Sequence, residues 1–149
     1  MALSRETSAG YLTNWAARLF ARELERQLAA SGIASAYMPV IFALADGSAL
    51  TQKELARRAA VEQPTMASTL NRMERDGFIT RRPDPVDKRS ALVALTPLAL
   101  GHVETVERIV SAINSLALEQ LDPNERRQYM SLLRRVIAVL EAQDKDLAP

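Results

Sequence analysis

The chain has 149 residues, 48% of them hydrophobic and 25% charged. That suits one domain with an apolar core and is too apolar for an intrinsically disordered chain. The net charge of +1 points by itself to no class of partner, and the absence of cysteine excludes disulfides, thiol redox sensing and thiolate metal sites.

The opening stretch, MALSRETSAGYLTNW, lacks the apolar core of a signal peptide. The longest apolar run, AYMPVIFALA, is short for a bilayer and holds a proline. A soluble, cytoplasmic protein with no membrane partner is the expectation. Over residues 11–31, Leu12, Trp15, Ala16, Leu19, Phe20, Leu24 and Leu28 recur at spacings of three and four, which predicts a helix that Gly32 ends. Residues 35–44 predict a second, more apolar helix, with Pro39 tolerated only near its first turn and Asp46-Gly47 closing it.

Thr51 with Glu54 three residues on is a capping box, and Leu50 and Leu55 are placed to staple it. A short helix follows, with Leu55, Ala56 and Ala59 on its apolar side. Val61-Glu62-Gln63 reads as a tight turn, and Pro64 suits the first position of the next helix, which ends at Gly77. Residues 78–82 and 89–95 then alternate like two short strands joined by PDPVDK. Thr96-Pro97 is a cap followed by a helix-starting proline; Val103, Val106, Ile109, Val110, Ile113, Leu116 and Leu121 mark a long helix. Asp122-Pro123 repeats the signal, and Leu132, Leu133, Val136, Ile137 and Leu140 mark the last helix.

The fold class expected is therefore mainly α with a small β-hairpin. Helix, tight turn, helix and hairpin form a winged helix-turn-helix over 35–96. The whole of 1–149 is expected to be one domain, with helices at 8–34 and 97–146 flanking the unit and pairing two chains. Their apolar stripes exceed what one small winged helix can cover, and a two-fold axis would bury the surplus.

Residues 51–90 hold nine Lys/Arg against six acids, while the remaining chain is net negative. On the second helix of the motif, a wheel centred on Leu70 puts Met66, Ala67 and Met73 beside it. Thr65, Ser68 and Arg72 fall roughly opposite, with Thr69, Asn71 and Arg75 flanking. Short hydrogen-bonding side chains near the N-terminal end and arginines further on suit a helix in the major groove of double-stranded DNA. Lys88 and Arg89 at the hairpin tip suit the adjoining minor groove, which attracts arginine. Asp87 would repel phosphate, so it is read as holding Arg89 or the loop backbone. A polar outer helix face and a turn of Pro, Asp and Lys are also ordinary surface features; their combination in one motif is what favours DNA.

The stretch LTQKELARRAAVEQPTMASTLNRMERDGFITRRPDPVDKRSALVALT resembles the winged helix-turn-helix of MarR-family transcriptional regulators. Asp87-Lys88-Arg89 followed by LVALT is similar to that family's wing motif, and the helix order on both sides also fits. One departure is Ala99, where the family often has glycine; here Gly101 comes later. That bears on the geometry at the start of the following helix. The resemblance implies a homodimer on a palindrome-like operator, with the matched helix and wing on DNA. It also implies release by small, often aromatic acids. The expected function is a ligand-responsive, sequence-specific repressor. Tyr11, Trp15, Arg18, Tyr37 and Met38 are candidate ligand-binding residues between the dimer helices and the DNA-binding unit, although aromatics at helical spacing are more often core.

An enzyme is not expected. His102 and Glu104 point apart on a helix, there is no second histidine, and no phosphate loop or nucleophile motif is present. No cofactor or metal is implied. The rival non-enzymatic reading is a winged helix used for protein–protein contact, which would not need arginines on both the helix face and the wing.

Overall fold

The computed structural model describes residues 4–146. Helix α1, Ala9–Leu28, is capped by Ser8, whose Oγ accepts the Tyr11 N–H at 3.2 Å. It tightens into a 3-10 turn, Ala29–Ser31, and stops at Gly32, whose φ of 72° suits a residue without a Cβ. Residues Ser35–Tyr37 form a second 3-10 turn, so helix α2 proper is Met38–Leu44, three residues later than the spacing predicts. Pro39 lies in its first turn, where a missing N–H costs nothing.

A short strand, β1 (Leu50–Thr51), leads directly into α3 (Gln52–Ala59). The capping box is complete: Thr51 Oγ1 accepts the Glu54 N–H at 3.2 Å, and Glu54 Oε2 accepts the Thr51 N–H at 2.8 Å. Helix α3 ends in a left-handed residue that is not glycine, Ala60 at φ 52°. The Val61 N–H reaches back to the Ala56 carbonyl at 3.0 Å and the Ala60 N–H to that of Arg57 at 3.2 Å. This doubly closed helix end sets the turn. Helix α4, Gln63–Arg75, starts one residue before the predicted Pro64, so the turn is centred on Ala60 and Val61 and Gln63 is already helical. The same closure recurs at its far end, where Gly77 (φ 78°) lets the Phe78 N–H bond the Met73 carbonyl at 2.8 Å.

Strands β2 (Ile79–Pro83) and β3 (Ala91–Leu95) form the wing, with Ile79 opposite Leu95 and Arg81 opposite Val93. The expected hairpin is the outer part of a three-stranded antiparallel sheet in the order β1-β3-β2. Leu50 pairs with Val93, which ties the start of α3 to the wing. Two residues are too few to show alternation in a sequence, which is why β1 escapes the pattern. Arg89, predicted to open a strand, lies in the tip turn, because β3 begins at Ala91.

Thr96 Oγ1 accepts the Ala99 N–H at 3.2 Å and donates to the Gly77 carbonyl at 2.6 Å. It thereby caps α5, Pro97–Ala117, and fastens it to the end of α4. Ala99 is buried, so the departure from the family pattern leaves a regular helix start. Leu28, Tyr37, Val40, Leu44, Leu55, Leu70, Met73 and Val93 form the core, with Val103, Ile109 and Val110 of α5 packed against it.

The chain divides into two compact units, one ending at Ser111 and one beginning at Ala112. The second contains the last turns of α5 and α6, Pro123–Asp146. Leu121, expected on the long helix, belongs to the turn between them: its N–H donates to the Leu118 carbonyl at 3.1 Å, and its own carbonyl accepts Arg126 Nε at 2.9 Å. Asp122 accepts the N–H groups of Asn124 and Glu125 at 2.7 and 3.0 Å, starting α6. Leu116, Leu132, Val136, Ile137, Val139 and Leu140 of this unit are exposed. Among the described residues no single helix is long and apolar enough to cross a membrane.

Candidate nucleic-acid interface

Burial on α4 falls on Met66, Thr69, Leu70 and Met73. That is the i, i+3, i+4, i+7 stripe of a helix with one face in the core. It corrects the expectation for Thr69, which is 9% exposed and turned inward. The physical reason is that the buried stripe is centred between Thr69 and Leu70, not on Leu70. The outward face shifts with it. Pro64, Ala67, Ser68, Asn71, Arg72 and Arg75 line one shallow surface concavity, and Thr65 is exposed but not among the residues that line it. Of the expected helix residues, the fold brings Ser68, Asn71, Arg72 and Arg75 together.

Two networks brace this face. Arg75 Nε donates to Asp76 Oδ1 at 2.9 Å, and the Tyr37 hydroxyl donates to Asp76 Oδ2 at 2.5 Å. These hydrogen bonds, Arg75's first and Tyr37's next, hold the Asp76 carboxyl below its ordinary pKa. Burial, and then the bond to Asp76, push the Tyr37 hydroxyl above its own. On the other side Arg81 of β2 donates to the Glu74 carboxylate and, at 3.0 Å, to Asn71 Oδ1. Sequence reasoning passed over Arg81 and Glu74. The signal was available: strand alternation from buried Ile79 places Arg81 on the same face of the sheet, toward α4.

The wing tip spans residues 84–90. Asp84 Oδ1 accepts the Val86 N–H at 2.9 Å, and Asp87 Oδ1 accepts the Arg89 N–H at 3.0 Å. Asp87 thus bonds the backbone of the loop rather than the Arg89 guanidinium. Lys88 and Arg89 are exposed beside Val86, which is 93% exposed.

The candidate ligand residues do not converge within one chain. Tyr37 and Met38, each 3% exposed, belong to the core, and the Tyr37 ring packs on Phe78 at 5.5 Å. Tyr11 and Trp15 meet edge to face at 6.2 Å on the exposed part of α1, with the Arg5 guanidinium 5.4 Å from the Trp15 ring and Arg18 exposed on the same stripe. The part of α1 that joins the core begins near Leu24, nine residues or roughly 14 Å further along the helix. Within one chain, then, Tyr37 and Met38 are set apart from Tyr11, Trp15 and Arg18. His102 stacks on Phe78 at 5.8 Å, and the described residues contain no group of three or more His, Cys, Asp or Glu able to hold a metal.

A model of the MarR family matches residues 31–90, which span α2, the helix-turn-helix and the wing tip. The HTH-type transcriptional regulator YwoH of Bacillus subtilis is 31% identical over 121 residues, covering 81% of this chain and 88% of its own length. The chain belongs to the MarR family. A MarR transcriptional regulator from Methanosarcina mazei superposes with a TM-score of 0.81 at 20% identity, over 87% of this chain and 93% of that one. Bordetella bronchiseptica BpsR, whose DNA binding is regulated by 6-hydroxynicotinic acid, superposes with a TM-score of 0.80 at 24% identity, over 91% and 97% of the two chains. These likenesses fit the mainly helical winged fold. This MarR-family chain is a transcriptional regulator, and DNA is its partner.

Proposed function

We propose that this regulator is a cytoplasmic homodimer that represses transcription by occupying a palindrome-like operator. Ser68, Asn71, Arg72 and Arg75 face the major groove, Thr65 meets the backbone at the edge of that face, and Lys88 and Arg89 enter the adjoining minor groove. Asp87 keeps the tip in shape for that entry. The observation that carries this reading is an outward concavity of α4 that gathers Ser68, Asn71, Arg72 and Arg75, in a motif whose wing tip exposes Lys88 and Arg89. The helices within 8–34 and 97–146 join two copies, and their exposed apolar side chains, among them Leu12, Leu19, Leu132, Val136 and Leu140, support that role. Two-fold pairing presents two α4 helices to successive major grooves, roughly 34 Å apart.

The ligand part of the reading rests on the likeness to BpsR and on α1. Tyr11, Trp15 and Arg18 form a stripe of two aromatic rings and a cation, a set suited to a small aromatic carboxylate. A ligand that favours the DNA-free arrangement releases the operator in proportion to its differential affinity.

Selection of bound duplexes from a random pool tests the reading. The expected result is an inverted repeat whose affinity falls steeply with salt, because neutralised phosphates release counterions. Absence of any enriched sequence, or binding insensitive to salt, would refute it. Titrating salicylate-like carboxylates while following operator affinity and Trp15 fluorescence tests the ligand; Trp15 is the only tryptophan, so the signal has one source.

A further inference from the structure

Arg81 lies on the strand side of α4, yet it touches a residue of the outward face. Its guanidinium is anchored to the Glu74 carboxylate, and Nη2 donates to Asn71 Oδ1 at 3.0 Å. A guanidinium has donors and no acceptor, so the amide atom that faces it must be the oxygen. The Asn71 NH2 group therefore occupies the other branch of the amide, away from Arg81. Asn71 also lines the outward concavity together with Ser68, Arg72 and Arg75. The two arginines there have no acceptor either, and Ser68 carries one hydroxyl.

We propose that Arg81 sets base preference at second hand, by holding Asn71 so that it offers only N–H donors and thereby selects guanine over adenine at the base pair it meets. The inference rests on the reading that α4 enters the major groove. Asparagine recognises adenine by using both ends of its amide, accepting from N6 and donating to N7. With its oxygen committed to Arg81, Asn71 loses the accepting half. Guanine presents two acceptors, O6 and N7, to the same NH2 group, whereas cytosine presents an amino donor to a face already made of donors. Arg81 is thus a positioning residue and touches no base. Strand β2 keeps it in place: Arg81 is paired opposite Val93, and the neighbouring Ile79 is buried, so the clip belongs to the paired strands of the wing rather than to its exposed tip.

The test is duplex selection with the full-length protein and three variants. Asn71→Ala identifies the base pair that Asn71 meets, as the position where preference disappears. At that position the wild type is expected to prefer guanine over adenine by roughly fivefold, the range of one net hydrogen bond. Arg81→Met frees the amide to rotate, and adenine is then expected to equal or exceed guanine there while preference elsewhere in the site persists. Asn71→Asp keeps an acceptor for Arg81 and replaces the outward NH2 with an oxygen; guanine preference is expected to be lost in favour of amino-bearing cytosine or adenine. Circular dichroism confirms the fold of each variant, and should Arg81→Met fail to fold, the Asn71→Asp profile decides. Wild-type preference for adenine at this position, unchanged preference in a folded Arg81→Met, or retained guanine preference in Asn71→Asp each overturns the inference while leaving DNA binding by α4 intact. A wild-type pool without enrichment overturns the groove reading and the inference together.

Discussion

Replacing Leu140 with glutamate tests the proposed pairing of two chains. Leu140 is 63% exposed within one chain, so the protomer gives up little by carrying a charge there. Full burial of a leucine side chain is worth about 1.5–3 kcal/mol, so covering the exposed part contributes ~1–2 kcal/mol per copy. A two-fold interface uses each residue twice, which makes the loss ~2–4 kcal/mol before any cost of burying the carboxylate. That corresponds to a dimer dissociation constant raised roughly 30- to 1,000-fold. Sedimentation equilibrium over nanomolar to micromolar protein measures it directly. Far-ultraviolet circular dichroism should be unchanged, and operator affinity should fall with the dimer. A variant that dimerises as tightly as the wild type would remove Leu140 from the interface, and a wild-type monomer at micromolar concentration would refute the pairing as a whole.

Other outcomes are equally specific. Arg89→Ala should weaken operator binding by ~1–3 kcal/mol with an unchanged melting temperature, since its side chain is exposed; unaltered binding at moderate salt would exclude the wing contact. Arg72→Ala should relax preference at one base pair if Arg72 reads a base, or lower affinity uniformly if it touches phosphate, and Ser68→Ala should cost less than either; a profile untouched by both changes would contradict the assigned face. Thr51→Ala removes the cap of α3 and should lower stability by about 1 kcal/mol in urea unfolding, with no change meaning the box is idle. The carboxyls of Asp76 and Glu54 are both held below their ordinary pKa, Asp76 by Arg75 and then Tyr37, Glu54 by the Thr51 backbone and then its hydroxyl. Their contribution is present above the unfolded carboxylate pKa and lost as pH falls through the lower folded values. The melting temperature should therefore drop on acidification below roughly pH 4, less steeply in Tyr37→Phe; identical acid limbs for the two proteins would dismiss the Tyr37 contact as a contributor.

Local signals in this chain were legible because they act within a few residues. Thr51, Thr96 and Asp122 accept helix N–H groups two or three positions ahead, and Gly32 and Gly77 take the left-handed backbone that stops a helix. Such contacts need no tertiary partner, so helix order and the wing could be read from the sequence to within about four residues, and so could the outward placing of Ser68, Arg72 and Arg75. What remained hidden depends on residues far apart in the chain. The exception is Ala60, whose left-handed turn is closed by two local hydrogen bonds but lacks the glycine that would announce it. Thr69 is buried because the core meets α4 off the axis that Leu70 alone suggests. Tyr37 and Met38 went to the core, as the ring of Tyr37 has Phe78 to pack on and its hydroxyl has Asp76 to bond. The two-residue strand β1 exists only because β3 offers it an edge, and Arg81 reaches Asn71 only because the fold lays β2 against α4. Capping, turn and periodicity are set by neighbours in sequence, whereas burial and side-chain pairing are set by whichever distant surface arrives, and that the tertiary structure alone decides.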